Sequence, residues 1–418
     1  MTNEEEKRPI RPFLAIWTGQ SISLLGSSLV SFALIWWLTE ESGSATVLAL
    51  ASIVTIIPRV LLSPIIGTLV DRWPRGRIML ISDISIAFTT MVMALFFALD
   101  IKEITLVYLL MFIRGLGGAF HGPAMIVSTT LMVPEKHYSR IAGLNNALRG
   151  AMSILAPLMG ALLLSVLPLQ SILALDVITA LPAIIPLLFI TIPQPTESQP
   201  AQTTPRPSVW RELRQGLRYI VRWPGLMMLI GVYAMVHFLL APALAFMPLL
   251  VTDHFAGGAL QLASLQSAAG IGLVIGGLAL GLWGGLKRRM ATAMIALALM
   301  GVGMISIGLA PSAAFPIAVV GMFTVGFTLS FVTSLRLAVL QTAILPELQG
   351  RVITVVLSST ALTDPIGLAI AGPLSDTVGV RIWYIVCGII TIVMGIGALF
   401  VPAIINIEKE SHPIPTAV

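Results

Sequence analysis

Twelve long apolar segments, separated by short polar stretches, dominate the pattern of hydrophobic and polar positions along this chain. A helix needs about 20 apolar residues to cross the hydrocarbon core of a bilayer. Every segment reaches that length, so the pattern predicts an all-α membrane protein with twelve transmembrane helices. The predicted spans lie, to within a few residues, at 12–38, 46–69, 78–99, 104–131, 141–167, 171–192, 224–251, 262–285, 290–310, 314–343, 352–375 and 381–404.

A polar stretch at 193–209, rich in proline, glutamine and threonine, separates the first six spans from the last six. Such a composition is typical of a flexible linker. The next residues, 210–222, carry Leu213, Leu217 and Ile220 between arginines and predict an amphipathic helix on the membrane surface. We therefore expect an N-terminal six-helix bundle at 1–192, a cytoplasmic linker with an amphipathic helix at 193–223, and a C-terminal six-helix bundle at 224–418.

Positive charge is sorted between the two sides of this topology. With both termini in the cytoplasm, 18 of the 24 Lys and Arg fall in cytoplasmic segments, and only Lys102 and Arg381 fall outside. An excess of basic residues in cytoplasmic loops sets the orientation of membrane proteins. Topology therefore explains the net charge of +5, and we expect no nucleic-acid partner. The other four basic residues lie inside spans: Arg59, Arg114, Arg149 and Arg336.

Composition excludes several other classes of protein. Charged residues are 10% of the chain and the mean hydropathy is +0.97, whereas an average soluble domain is about 25% charged. The single cysteine excludes a disulfide framework, and none of the five His belongs to the H-x-x-x-H pair of a zinc hydrolase. The phosphate-binding pattern G-x-x-x-x-G-K-[ST] does not occur in the sequence. We therefore expect no enzymatic activity, no metal and no cofactor.

The two halves of the sequence are related by an internal offset. A shift of 211 positions maps Phe112, Gly115 and Phe120 onto Phe323, Gly326 and Phe331. The same shift maps Arg77 onto Arg288. The same offset in separated regions indicates two parallel repeats of six helices each. Parallel six-helix repeats are the known architecture of one large class of transporters.

The loop after the second span carries the most specific motif. It reads G-x-x-x-D-R-x-x-R-x-R and comprises Gly67, Asp71, Arg72, Arg75 and Arg77. The motif resembles the signature loop between helices two and three of the major facilitator superfamily, although proline precedes the second arginine where the family usually has glycine. The resemblance implies close helix approach at Gly67 and a switchable Asp71–Arg72 ion pair at a cytoplasmic gate. Alternatively, the three arginines act only as determinants of topology.

Arginines inside the spans need partners. Arg114 lies about ten residues into the fourth span, near the bilayer midplane, where a lone arginine costs roughly 2.5–3.5 kcal/mol. Proton-coupled members of the superfamily have an arginine at the matching place, so the resemblance implies proton coupling; a purely structural tie is the alternative. Arg59 in the second span must also be paired, and Arg149 is expected to pair with Asp83.

Two acids lie inside apolar spans. Asp364 is in the middle of the eleventh span, and a carboxylate there can load a proton on one side of the membrane and release it on the other. Its alternatives are a buried partner for Arg336 and a cap for the backbone freed by Pro365. Asp176 lies in the sixth span, where the resemblance places an aspartate in related drug exporters.

Two further features suggest a substrate or proton pathway. His237 lies in the middle of the seventh span and is either a coupling group or a satisfied structural histidine. A polar stripe follows one face of the first span: Gln20, Ser23, Ser27 and Ser31. The resemblance implies that this stripe lines a cavity, because helices one, four, seven and ten line a cavity in this superfamily. Small-residue helix packing is the alternative explanation.

Helix-shaping residues complete the set of candidates. In the fifth span, Pro157 and Gly160 form a weak match to the G-P-x-x-G motif of exporters, which implies a kink. In the eighth span, Gly277, Gly281 and Gly285 are expected to serve helix packing.

A wider resemblance points to one branch of the superfamily. Gly19-Gln20, Ser82-Asp83, Leu175-Asp176 and Pro346-Glu347 are similar to macrolide and enterobactin exporters of the drug:proton antiporter branch. The resemblance implies a monomeric inner-membrane secondary transporter, surrounded by lipid, that rocks two bundles about a cavity and exchanges protons for a drug-like or amphipathic small molecule.

Three alternatives remain at this stage. A lysophospholipid or siderophore transporter would have the same fold. A membrane enzyme would need a cluster of His or acidic residues at one membrane face, and the sequence shows none. A non-transporting sensor would need an appended soluble domain, for which the tails are expected to be too short.

Overall fold

Twelve long helices form the architecture of the part of the chain that the structure describes. The computed structural model describes residues 10–194, 217–286, 288–344 and 346–408, apart from the side chains of Pro64, Gly67, Thr68, Asp71, Pro346, Glu347 and Arg351. The helices in these ranges are α1 (Arg11–Ser42), α2 (Ala45–Arg72), α3 (Arg75–Ala98), α4 (Ile104–Met132), α5 (Tyr138–Val166), α6 (Leu169–Phe189), α7 (Pro224–Ala245), α8 (Ala259–Trp283), α9 (Arg289–Leu309), α10 (Phe315–Ala343), α11 (Pro346–Val378) and α12 (Val380–Leu399). All twelve are long and apolar enough to cross a membrane, which confirms the predicted count of spans.

Local sequence explains where several helices begin and end. Pro168 precedes α6 and Pro224 opens α7, because proline lacks the N–H that a first helical turn leaves unpaired. Gly284, with φ of 75°, ends α8 in the left-handed conformation. Gly379, with φ of 88°, separates α11 from α12. The helix of the predicted seventh span ends at Ala245, earlier than predicted. A short turn and a π-helical segment at Leu250–His254 follow it.

The chain divides into two compact units. Unit 1 comprises Met1–Ser42 and Leu50–Pro205, and unit 2 comprises Gly43–Ala49 and Arg206–Val418. Of the predicted amphipathic helix, only 217–222 is described, and this part is helical. The rest of the predicted linker, from 195 to 216, lies outside the described residues, so the predicted domain limits stay a prediction.

Hydrogen bonds explain why the start of α2 groups with unit 2. Asp376, near the end of α11, accepts hydrogen bonds from the backbone N–H of Ala45 at 2.6 Å and of Thr46 at 3.1 Å. The hydroxyls of Ser44 and Thr46 donate to the same carboxylate at 2.9 and 2.5 Å. A carboxylate at a helix N-terminus satisfies unpaired N–H groups and complements the helix dipole. Asp376 therefore adds to the capping of α2, where the Ser44 hydroxyl also accepts a hydrogen bond from the N–H of Val47 at 3.4 Å.

The same packing order recurs in each unit. In unit 1, α1 packs on α5 and α6, while α3 packs on α4 and α6. In unit 2, α7 packs on α11 and α12, and α9 packs on α10 and α12. Each pair in unit 2 lies six helices after its counterpart in unit 1. The order of packing thus follows the repeat that the offset of 211 residues predicts.

One repeated glycine makes the same close approach in both units. A Cβ on Gly115 of α4 would lie 2.5 Å from the carbonyl oxygen of Thr55 on α2. At the position 211 residues later, a Cβ on Gly326 of α10 would collide with the carbonyl oxygen of Ala269 on α8. Small residues let membrane helices approach backbone to backbone, so this pair of glycines sets the spacing of equivalent helices.

The expected packing role of Gly277 and Gly281 is wrong. No described atom lies within 4 Å of a Cβ built on either residue. The packing glycine is Gly276, one position earlier, where a Cβ would collide with the carbonyl oxygen of Phe327 and the hydroxyl of Ser330 on α10. Successive helical residues point about 100° apart, so a shift of one position moves a side chain off the interface.

We expect Gly276→Ala to lower the free energy of unfolding by about 1–3 kcal/mol, because the added methyl group overpacks the α8–α10 contact. Gly277→Ala is the matched control and should leave stability unchanged or slightly raised, since alanine favours helix over glycine. Thermal unfolding of both variants in detergent checks the difference. Equal midpoints would contradict this assignment of the interface.

Candidate functional site

A buried ion pair joins α4 and α6 in unit 1. The guanidinium Nη1 of Arg114 lies 2.8 Å from Oδ2 of Asp176. The Arg114 side chain is 11% exposed and that of Asp176 is 2% exposed. An arginine inside a span needs a partner, and the structure places Asp176 beside Arg114. The cost of an arginine near the bilayer midplane is thus offset by a carboxylate on the neighbouring helix.

Polar side chains from two more helices complete this cluster. Ser27 of α1 donates a hydrogen bond to Oδ1 of Asp176 at 3.1 Å. Thr90 of α3 lies with its hydroxyl 3.2 Å from Oδ2 of Asp176 and accepts a hydrogen bond from Arg114. Four helices of unit 1 therefore meet at one fixed charge pair, which we call the arginine layer: Ser27, Thr90, Arg114 and Asp176.

A second buried acid in unit 1 escaped the sequence prediction of site residues. Asp83 of α3, 5% exposed, accepts a hydrogen bond from Nε2 of Gln20 on α1 at 2.7 Å. Nε2 of His121 on α4 lies 3.3 Å from Oδ1 of Asp83. The expected pairing of Asp83 with Arg149 is wrong, because these two residues occupy the carboxylate and the Arg149 side chain is exposed. The available signal was spacing, since Asp83 and His121 each lie seven residues from a member of the arginine layer.

Unit 2 brings together two other predicted residues. Nδ1 of His237 on α7 lies 3.0 Å from Oδ1 of Asp364 on α11. The two side chains are 36% and 25% exposed, so the pair is only partly buried. The alternative that Asp364 partners Arg336 is therefore wrong. The carboxylate of Asp364 is thus paired with an imidazole rather than with a permanently charged guanidinium.

Arg336 has an aromatic partner instead. Its guanidinium carbon lies 4.8 Å from the centre of the Tyr233 ring on α7, a cation–π contact. Tyr233 precedes His237 by one helical turn and lies with its hydroxyl 3.4 Å from the carbonyl oxygen of Val332. The Arg336 charge is thereby held on α10 next to the same helix that carries His237.

The signature loop is described only in part. Arg72 and Arg77 are exposed, whereas Arg75 is buried and donates a hydrogen bond to the side-chain oxygen of Gln194 at 2.7 Å. The side chains of Gly67 and Asp71 lie outside the described residues, so their gating role stays a prediction. Arg59 was expected to be paired, but its side chain is exposed and it enters none of the ion pairs in the described part of the chain.

The proline of the fifth span does not interrupt its helix. α5 runs continuously from Tyr138 to Val166 through Pro157. A Cβ on Gly160 would lie 2.7 Å from a ring carbon of Phe32 on α1, so this glycine permits close approach of α5 to α1. The observed geometry therefore accounts for Gly160 through packing, and the exporter-type role of this motif stays a prediction.

Several known proteins resemble this chain over most of its length. The sequence model of the Major Facilitator Superfamily matches residues 16–366. The chain is 33% identical over 397 residues to Macrolide efflux protein A of Streptococcus pyogenes, covering 95% of this chain and 96% of that protein. It is 25% identical over 424 residues to the multidrug efflux pump Tap of Mycolicibacterium fortuitum, covering 96% and 98%.

A solved structure has the same fold. A bacterial homologue of the iron transporter ferroportin, crystallised in an inward-facing state, superposes with a TM-score of 0.72 at 15% identity, covering 93% of this chain and 98% of that one. At this identity the likeness concerns the fold alone. Together with the match of the family model over most of the sequence, the twelve helices and their repeated packing order show that this chain belongs to the Major Facilitator Superfamily.

Proposed function

We propose that this protein is a secondary active exporter of macrolide-like or other amphipathic small molecules, which it exchanges for protons by alternating access. The observation that carries the proposal is the 33% identity to a macrolide efflux protein over 95% of the chain. The similarity to a multidrug efflux pump over 96% of the chain supports the same class of activity. The superfamily and the substrate class are thus supported by relatives, and the driving force is argued from the site.

The His237–Asp364 pair of unit 2 is the proposed coupling group. The imidazole and the carboxylate lie 3.0 Å apart and are both partly exposed. With one proton bound, the pair has no net charge, and without it the pair carries one negative charge. Binding and release of a proton therefore changes the electrostatics of α7 and α11, the two helices that hold the pair.

The arginine layer has a different proposed role. Arg114 keeps its charge at all physiological pH values, and it lies 2.8 Å from Asp176. Because the pair also makes hydrogen bonds with α1 and α3, we propose that it fixes four helices of unit 1 in one arrangement. Asp176 is then a positioning residue rather than the group that carries the transported proton.

Topology follows from the charge distribution. We propose that the protein lies in the cell inner membrane with both termini in the cytoplasm, because 18 of the 24 basic residues then fall on the cytoplasmic side. It works as a monomer surrounded by lipid and uses the proton gradient without a bound cofactor.

Drug accumulation in a susceptible bacterium tests the proposal. Cells that express the protein should retain several-fold less radiolabelled erythromycin, a macrolide, than cells with an empty vector, and a protonophore should abolish the difference. Equal retention in both strains, together with transport of a lysophospholipid or a siderophore by the expressing cells, would overturn the proposed substrate class.

A further inference from the structure

The second buried acid of unit 1 has no role in the function proposed above. We call its cluster the histidine layer: Gln20, Asp83 and His121. Gln20 donates to the carboxylate at 2.7 Å, and His121 approaches it to 3.3 Å. Nε2 of His121 is buried and makes no hydrogen bond within the described residues, so the contact is electrostatic.

The histidine layer repeats the arginine layer two helical turns away. Each of three helices contributes one residue to the histidine layer and another to the arginine layer. Seven helical residues rise by about 10 Å, and residues seven apart lie on the same face of a helix. The pairs are Gln20 and Ser27 on α1, Asp83 and Thr90 on α3, and His121 and Arg114 on α4.

The two layers differ in the partner of their carboxylate. Asp176 has a permanent cation at 2.8 Å, whereas Asp83 has a neutral amide and a histidine. The helices that pack against α3 carry few charged or titratable side chains, and one of these, Arg114, is already bound to Asp176. Those side chains are Tyr108, Arg114 and His121 on α4 and Asp176 on α6, and Tyr108 lies near the start of α4, more than three turns from His121. The charge of the histidine layer can therefore change by one proton, since His121 is its only basic partner among the described residues.

The difference in exposure between the two side chains indicates a route for that proton. Asp83 is 5% exposed, but the imidazole of His121 is 21% exposed. Nε2, which faces Asp83, is itself buried. A proton therefore reaches the pair through the rest of the more exposed imidazole, and the carboxylate behind it stabilises the charged form or accepts the proton. Gln20 and Asp83 lie within three turns of the start of α1 and α3, and His121 lies three turns before the end of α4. The charge distribution assigns all three of these helix ends to the cytoplasmic side.

We propose that Asp83 and His121 form a second proton-binding site, on the cytoplasmic side of the arginine layer. The pair has no net charge with the proton and one negative charge without it, and the proton is exchanged with water through His121. This assignment rests on the proposed function in one respect, that the bound proton is one of those exchanged for substrate and is released to the cytoplasm. Gln20 holds the carboxylate towards His121 in both states.

Infrared difference spectroscopy of the purified full-length protein between about pH 5 and 8, the range in which histidine titrates, tests the site without any substrate. Wild-type protein should show carboxyl and imidazole bands that titrate together, because interacting groups titrate as a pair. Asp83→Asn should lose the carboxyl part, and His121→Gln should lose the imidazole part. Asp100→Asn removes an exposed acid of the same unit and should keep the buried-pair signal.

Wild-type difference spectra in folded Asp83→Asn and His121→Gln would overturn the proposal. His121→Gln keeps the hydrogen bond between Gln20 and Asp83 and so remains informative if Asp83→Asn does not fold. The outcome is separable from that of the proposed function. Loss of the signal in both variants supports the proton site even if no macrolide is exported, whereas unchanged spectra in a protein that exports the drug remove only this inference.

Discussion

Replacing Arg114 with alanine should abolish substrate efflux and lower the free energy of unfolding by about 3–5 kcal/mol, the usual effect of removing one partner of a buried ion pair. The reason is the carboxylate that remains. Asp176 is 2% exposed, and its cation at 2.8 Å would be lost. Ser27 and Thr90 would be left to satisfy a buried charge alone. Thermal unfolding in detergent and drug efflux from cells measure the two effects.

A double variant separates the charge from the position. Arg114→Gln combined with Asp176→Asn removes both charges and keeps polar groups on α4 and α6. We expect this double variant to regain most of the stability that Arg114→Ala loses, because no uncompensated charge remains. Arg114→Lys keeps a charge without the planar fork of the guanidinium. Its stability should lie between that of the wild type and that of Arg114→Ala. A stability of Arg114→Ala equal to that of the wild type would show that the arginine layer does not hold the helices.

Asp364→Asn should uncouple substrate movement from the proton gradient without unfolding the protein. The pair with His237 is partly exposed, so loss of the carboxylate leaves no buried unpaired charge. The variant should still exchange substrate down its own gradient, but its accumulation ratio should fall to about one. One proton moving through 100 mV is worth about 2.3 kcal/mol, which sustains a ratio of between one and two decades in the wild type.

Asp253→Asn is the matched control for this prediction. Asp253 is an exposed acid of unit 2. The Asp253→Asn variant should keep the wild-type accumulation of substrate. His237→Gln removes the other half of the pair and should also reduce accumulation. If Asp364→Asn concentrates substrate at the wild-type rate and ratio, the coupling group lies elsewhere.

The number of helices and the repeat could be predicted from the sequence because both depend on local composition. A run of 20 apolar residues identifies a span whatever it packs against, and the match of Gly115 to Gly326 needs only a constant offset. The structure adds the reason for that match, since both glycines lie against a backbone carbonyl of the neighbouring helix.

Partner choice could not be predicted in the same way. Arg114 and Asp176 are 62 residues apart in sequence, and His237 and Asp364 are 127 apart. Which of several buried polar groups meet depends on the rotation and depth of each helix. The sequence does not encode these directly, so Arg336 was a reasonable partner for Asp364. Gly276 and Gly277 show the same limit, because neighbouring positions on one helix face different surroundings.

Transport into proteoliposomes under an imposed pH difference tests the central claim most directly. Vesicles that are more acidic inside by one pH unit should accumulate radiolabelled erythromycin about tenfold per proton exchanged, above the passive uptake of this weak base by protein-free liposomes under the same pH difference. The lumen should alkalinise at the same time, and a protonophore should release the drug. Accumulation that is the same with and without the pH difference, or that occurs without alkalinisation, would contradict proton-coupled export.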